Sequence, residues 1–164
     1  MLEDFNVIAA RVAELLRARG EKIAVADGAT GGLISASLLT VPGALSFYVG
    51  GGVVYSKASR DALYGLVEEV FEGMKSATED YAALQARAIR DNFGAAWGIA
   101  ESGAAGSSKH PMGVASGRSC VGIAGPGGLV ATQVTETQSD DRIANMEAFT
   151  RRALEFLEAT LASA

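Results

Sequence analysis

Apolar residues recur near the amino terminus at Phe5, Ile8, Ala9, Val12, Leu15 and Leu16, the spacing of one helical face. Gly20 follows Arg17 and Arg19, so a helix from Asp4 to Arg19 ends on a residue suited to a left-handed turn, with cations at the negative end of its dipole. The period then changes. Lys22 to Ala26 is a short apolar run, the pattern of a strand buried on both faces. After the turn Asp27-Gly28-Ala29-Thr30-Gly31-Gly32, a helix from Gly31 runs to about Thr40, where Val41-Pro42-Gly43 breaks it. A glycine-entered strand is expected over Gly50 to Tyr55. Ser56 caps a short helix through Leu63 that Gly65 closes, while Glu68 to Lys75 shows no clear period. Thr78, with Glu79 and Asp80, opens a helix to Asn92.

Ala95 to Glu101 reads as a small-sided buried strand, followed by a long glycine- and serine-rich loop, Ser102 to Ser116, of the kind that carries binding residues. Two β-runs, Ser119 to Ala124 and Leu129 to Thr135, flank the hairpin signal Gly125-Pro126-Gly127-Gly128. Ser139 is the expected cap of the last helix, with Asp140 and Asp141 in its first turn. Ile143, Met146, Phe149, Ala153, Phe156 and Leu157 form its buried stripe. The order α-β-α-β-α-α-β-β-β-α implies an α/β fold: a mixed, mostly parallel sheet with one antiparallel strand and helices on both faces. Sites in such sheets gather at the carboxyl ends of strands, which brings Asp27–Gly32, Tyr55–Arg60 and Ser102–Gly106 together.

Composition narrows the function. A chain of 164 residues, 49% apolar, is one domain over residues 1–164. Its net charge of −5 argues against nucleic-acid binding, and no apolar run reaches bilayer length, so neither nucleic acid nor membrane is an expected partner. The acidic start Met1-Leu2-Glu3-Asp4 is no signal peptide, and a cytoplasmic location is expected. One cysteine, Cys120, and one histidine, His110, leave no cluster for a metal, and no cofactor is expected. Self-association into a homo-oligomer is left open.

The glycine turn has two readings. Gly31 and Gly32 at a helix start, with Thr30 beside them, form either an anion site or an ordinary capped connection. Tyr55 is a stacking ring or a core aromatic, and Ser102-Gly103 a polar corner or a turn. Arg142 is a bidentate phosphate ligand or the partner of the two acids before it. His110, beside Pro111, reads as a loop residue, and Cys120 as a small buried hydrophobe.

Taken in order, these segments resemble the CinA C-terminal domain family, whose best-known members are nicotinamide-nucleotide amidohydrolases. Ala26-Asp27-Gly28-Ala29-Thr30-Gly31-Gly32 stands where the family has Ala-Glu-Ser-Cys-Thr-Gly-Gly. Pro42-Gly43-Ala44-Leu45, Phe47-Tyr48, Gly51 and Val53-Val54-Tyr55-Ser56 match its second segment, and Ser102-Gly103-Ala104-Ala105-Gly106-Ser107 its Thr/Ser-Gly-Ile-Ala-Gly-Pro loop. The resemblance covers essentially the whole chain. It implies a three-layer α/β/α sandwich and a metal-free hydrolysis of nicotinamide mononucleotide to nicotinate mononucleotide and ammonia, by a serine that a lysine activates. Here the serine position holds Leu45 and the lysine position Arg60, and arginine is no general base. The nearest replacements are Ser46 and Lys57.

Any hydrolysis is expected to depend on Ser46 with Lys57; the alternative is that Ser46 is a loop hydroxyl and Lys57 a solvated cation. Asp27, Thr30, Gly31, Gly32, Tyr55, Arg60, Ser102, Gly103 and Arg142 are the expected ligand-binding residues, with the phosphate at the helix start from Gly31 and Asp27 turned toward the sugar or amide. The function expected first is binding of a small-molecule nucleotide; an active amidohydrolase and an assembly module are the alternatives.

Overall fold

The computed structural model describes residues 1–65, 68–108 and 110–164. The elements are α1 (Leu2–Arg19), β1 (Ile23–Asp27), α2 (Leu33–Leu39), β2 (Tyr48–Val53), α3 (Lys57–Tyr64), α4 (Glu79–Asn92), β3 (Trp97–Ala104), β4 (Arg118–Ala124), β5 (Val130–Glu136) and α5 (Arg142–Ser163). Strands pair in the order β2-β1-β3-β4-β5, with β1 parallel to β2 and β3. β4 runs against both neighbours and is the one reversed strand, as a hairpin after three helix-linked strands requires.

Alternation along the strands divides the interior into two layers. Ile23, Val25, Trp97, Ile99, Val121 and Ile123 point to one face and pack against α1, α2 and α5. Ala24, Ala26, Ala100 and Ala124 point to the other, against α3, Phe71 and α4. The small residues on the second face let α4 seat close to the sheet: a Cβ on Gly98 would collide with the carbonyl oxygen of Ala86, and one on Gly122 with the backbone of Ala82. Gly98→Ala and Gly122→Ala are each expected to destabilise the protein by about 1–3 kcal/mol in urea titrations, since a backbone neighbour cannot swing aside.

Local chemistry sets the helix ends. Gly20 closes α1 at φ 65°, its N–H bonded to Arg17 O. Ser56 and Ser59 form a reciprocal capping box on α3, and Gly65 ends it. Thr78 caps α4.

Five local expectations change. The helix predicted from Gly31 begins at Leu33, because Gly31 and Gly32 have φ of 65° and 98° and belong to the turn. β2 lies two residues earlier than its glycines suggested: Gly50, Gly51 and Gly52 pair with Ala24, Val25 and Ala26 in mid-strand. A side chain on Gly51 would strike the Val25 backbone. β3 continues through Ser102 and Gly103, which pair with Cys120 and Ser119, so the expected loop starts only after Ala104. Asp141, not Ser139, caps α5, accepting from the Ala144 N–H at 3.0 Å, and Arg142 is its first residue. Ile143 is 73% exposed rather than buried, lying in the first turn of α5 before the helix reaches the sheet.

Candidate functional site

The carboxyl ends of β1, β2 and β3 open into a cleft of about 460 Å³. Gly28 and Ala29 reach it from the β1 turn, Val54 and Tyr55 from the end of β2, and Lys57 and Arg60 from α3. Ser102, Gly103 and Ala104 come from the end of β3, Ala105 and Gly106 from the loop after it, and Arg142 from the start of α5. The structure thus brings Tyr55, Lys57, Arg60, Ser102, Gly103 and Arg142 together from four parts of the chain.

The two arginines approach from opposite faces of the sheet. Arg60 is only 7% exposed; its guanidinium lies 4.1 Å from the Phe71 ring centre, on the α4 face, and Nη2 is 3.0 Å from Asp61. Arg142 comes from the α5 face. Its guanidinium lies against Gly106, where an added Cβ would stand 2.5 Å from Nη2. Tyr55 is 74% exposed, an open ring beside the cleft rather than a core aromatic.

Two expected ligand contacts, Asp27 and Thr30, are spent inside the protein. Asp27 is fully buried, and its carboxylate, turned away from the cleft, accepts from Ile34 N–H (2.9 Å), Ser35 N–H (3.2 Å), Ser35 Oγ (2.9 Å) and Thr30 Oγ1 (2.7 Å). The chain's own carboxylate therefore occupies the start of α2, where a phosphate was expected. Thr30 is buried as well: its N–H donates to Glu101 Oε2 at 3.0 Å. Gly31 and Gly32 are absent from the cleft wall; Gly28 and Ala29 line it instead. Ser102 lines the cleft, with its Oγ accepting from the Ala77 N–H at 2.9 Å.

The proposed catalytic pair does not assemble. Ser46 precedes β2 and Lys57 follows it, and the six residues of β2 hold the two ends roughly 20 Å apart. Ser46 Oγ accepts from Arg17 Nε (2.7 Å) and donates to Gly43 O (2.9 Å), which fixes the turn before β2. Leu45 beside it is 78% exposed.

Sequence reasoning missed Glu101 and Ser76. Glu101 is 1% exposed beneath the cleft, between the β1 turn and β4, where Ser119 Oγ donates to its Oε1 at 2.6 Å. Burial pushes its carboxyl pKa above the ordinary value, against the pull of the hydrogen bonds from Ser119 and Thr30. Thr30 Oγ1 stands 3.2 Å from Glu101 Oε2, but its single proton goes to the nearer Asp27; a proton on Glu101 completes the contact. Gly28 makes the room, since a Cβ there would strike the Glu101 backbone. A lone acid in the apolar run Trp97-Gly98-Ile99-Ala100-Glu101 was the signal that pointed to it.

Ser76 Oγ lies 3.4 Å from His110 Nε2 on the cleft wall. His110 Nδ1 accepts from the Met112 N–H at 3.1 Å, which puts the neutral ring's proton on Nε2, facing Ser76. Burial lowers the His110 pKa, so the ring is neutral at pH 7 and offers Ser76 a donor rather than a base. Cys120 is buried, with Sγ donating to Ala77 O at 3.2 Å, and burial raises its pKa. Among the described residues no group of three metal-ligating side chains is found, and no helix is long and apolar enough to cross a membrane.

The family model of the CinA C-terminal domain matches residues 6–161. The chain belongs to this family. A CinA-like protein of Prochlorococcus marinus is 33% identical over 158 residues, which is 96% of this chain and 37% of that protein. One from Myxococcus xanthus is 37% identical over 103 residues, covering 63% and 24%. The chain spans about a third of the length of the curated relatives it matches. Among solved structures, a competence-damaged protein (CinA) superfamily protein from Klebsiella pneumoniae superposes with a TM-score of 0.88 at 26% identity, covering 98% of this chain and 99% of that one. Another from Enterobacter cloacae gives 0.87 at 27%, covering 96% and 92%. These two structures share the α/β framework over 96–98% of this chain.

Proposed function

We propose that this CinA-family chain binds a phosphorylated pyridine nucleotide in the cleft without hydrolysing it. One observation carries the reading. Among the described residues, the side chains lining the cleft include Lys57, Arg60 and Arg142 and no carboxylate, in a chain of net charge −5. Such a wall favours an anionic small molecule, and its size suits a mononucleotide. Tyr55 offers a ring face for a planar base. The pyridine nucleotide comes from the resemblance of the three cleft segments to the amidohydrolases of the family. Hydrolysis is set aside because Ser46 and Lys57 stand at opposite ends of β2, and because the imidazole beside Ser76 presents a proton to it.

With the start of α2 filled by Asp27, Arg142 is the phosphate anchor. A charged hydrogen bond of about 1.5–3 kcal/mol gives nicotinamide mononucleotide roughly a ten- to hundred-fold tighter Kd than its nucleoside. Calorimetry with both ligands tests this: Arg142→Ala is expected to remove most of the difference, and equal binding of the two would overturn the assignment. Ammonia release from the mononucleotide is expected to stay at the protein-free rate. Sustained release would restore the amidohydrolase reading.

A further inference from the structure

Ser76 stands on the cleft wall just before α4, but the cap of that helix is Thr78, which accepts from the Tyr81 N–H. The backbone beside Ser76 is strained. Ala77 is buried at φ 55°, a left-handed conformation that alanine rarely adopts. Three bonds keep it there. Its N–H donates to Ser102 Oγ at 2.9 Å, and its carbonyl accepts from Arg118 Nε at 2.9 Å and from Cys120 Sγ at 3.2 Å. Strain over-determined in this way is characteristic of ligand sites, and here it sets Ser76 beside His110 on the cleft wall. The Ser76 hydroxyl donates to Met112 Sδ, 3.4 Å away, and a thioether is a weak acceptor. His110 offers its Nε2–H to the same serine oxygen at 3.4 Å, so it takes no proton from Ser76. Both groups are therefore donors in loose contacts, and an oxygen acceptor entering the cleft replaces them with better ones.

We propose, resting on the nucleotide reading above, that Ser76 and His110 are specificity residues of the cleft: Ser76 Oγ–H and His110 Nε2–H donate together to the carbonyl oxygen on the ligand's ring. Ser76 leads into α4 and Arg142 opens α5, so the two reach the cleft from opposite faces of the sheet. A ligand with its phosphate at Arg142 turns its ring end toward Ser76. At that end the pyridine nitrogen is bonded to the ribose and has no free lone pair, which leaves the ring's carbonyl group to accept. Donors set in advance by a rigid backbone lose little freedom on binding, so the contact discriminates for that group.

Calorimetry on the whole chain at neutral pH tests the contact, with nicotinamide mononucleotide and the pyridine mononucleotide lacking the carboxamide as probes. Ser76→Ala is expected to weaken the first about three- to ten-fold and to leave the second within about two-fold. Ser76→Thr keeps the hydroxyl and is expected to bind both probes as the wild type does. His110→Ala is expected to show the same selective loss as Ser76→Ala, and an unchanged or unselective affinity there overturns the paired donors. Unchanged binding of nicotinamide mononucleotide by Ser76→Ala, an equal loss for both probes, or a loss in Ser76→Thr as large as that in Ser76→Ala overturns the contact while leaving the nucleotide reading standing. Failure of both probes to bind the wild type overturns the nucleotide reading as well.

Discussion

Asp27→Ala is expected to lower the stability of the protein by about 3–5 kcal/mol, although it removes only three heavy atoms. Four donors converge on that carboxylate, two of them backbone N–H groups of the first turn of α2. Hydrogen bonds to a charged group are worth about 1.5–3 kcal/mol each, and donors left unsatisfied in a buried site add their own cost, so the loss exceeds that of an exposed cap. For a chain of this size such a loss corresponds to a fall in Tm of roughly 6–20 °C, measurable by calorimetry or circular dichroism. Asp27→Asn is no remedy, because its amide nitrogen would point at either the Ile34 or the Ser35 N–H. A stability change below about 1 kcal/mol in Asp27→Ala would mean that water replaces the carboxylate and that the start of α2 is open to anions after all.

The second expected result is a pH dependence traceable to Glu101. Its pKa is raised in the folded protein, so above about 4.5 the unfolded chain has released a proton that the folded chain still holds. The stability this contributes is complete below that value and is lost as pH rises through the folded pKa, at up to about 1.4 kcal/mol per pH unit within the window. Glu101→Gln removes the titration and can keep the geometry: the amide oxygen accepts from Thr30 N–H while the nitrogen donates to Ser119 Oγ. The variant is therefore expected to show a flatter Tm-against-pH profile than the wild type above pH 5, and a higher Tm at pH 8. Glu101→Ala, which orphans the buried Thr30 N–H, is expected to destabilise at every pH. Identical profiles for wild type and Glu101→Gln would remove the buried acid as the source.

Much of this architecture could be read from local pattern, because the determinants of its helices lie within a few residues of one another. Ser56, Gly65 and Thr78 act at the positions where their chemistry placed them, and the run of elements follows from the change of period along the chain. The errors share one cause, which is that the deciding partner is distant in sequence. Gly50 to Gly52 form the middle of a strand because β1 lies close against them, a neighbour twenty-six residues away in register. Asp27 resembled a ligand contact until Ile34 and Ser35 turned out to hold it, and Glu101 acquired its role from Thr30 and Ser119, on two other segments. Ser46 and Lys57, eleven positions apart, are separated because the chain between them is extended. Tyr55 and Arg60 reached the cleft as the sheet topology required, since connections at the carboxyl ends of neighbouring strands converge whatever their spacing.

The bonds around Asp27 and Glu101 bear on how the cleft moves. A turn with glycines at positions 28, 31 and 32 has the composition of a hinge, yet the N–H groups of Thr30, Ile34 and Ser35 are tied to two buried carboxyls. Bending there would break several charged bonds at once, so the floor of the cleft behaves as a fixed plate. The opposite wall is less restrained: α3 is a short helix of eight residues with its cap and its first turn open to solvent. A ligand bound as proposed is expected to enter and leave at rates set by the residues that hold α3 in place, such as Arg60 against Phe71 and Asp61, more than by the glycines of the turn.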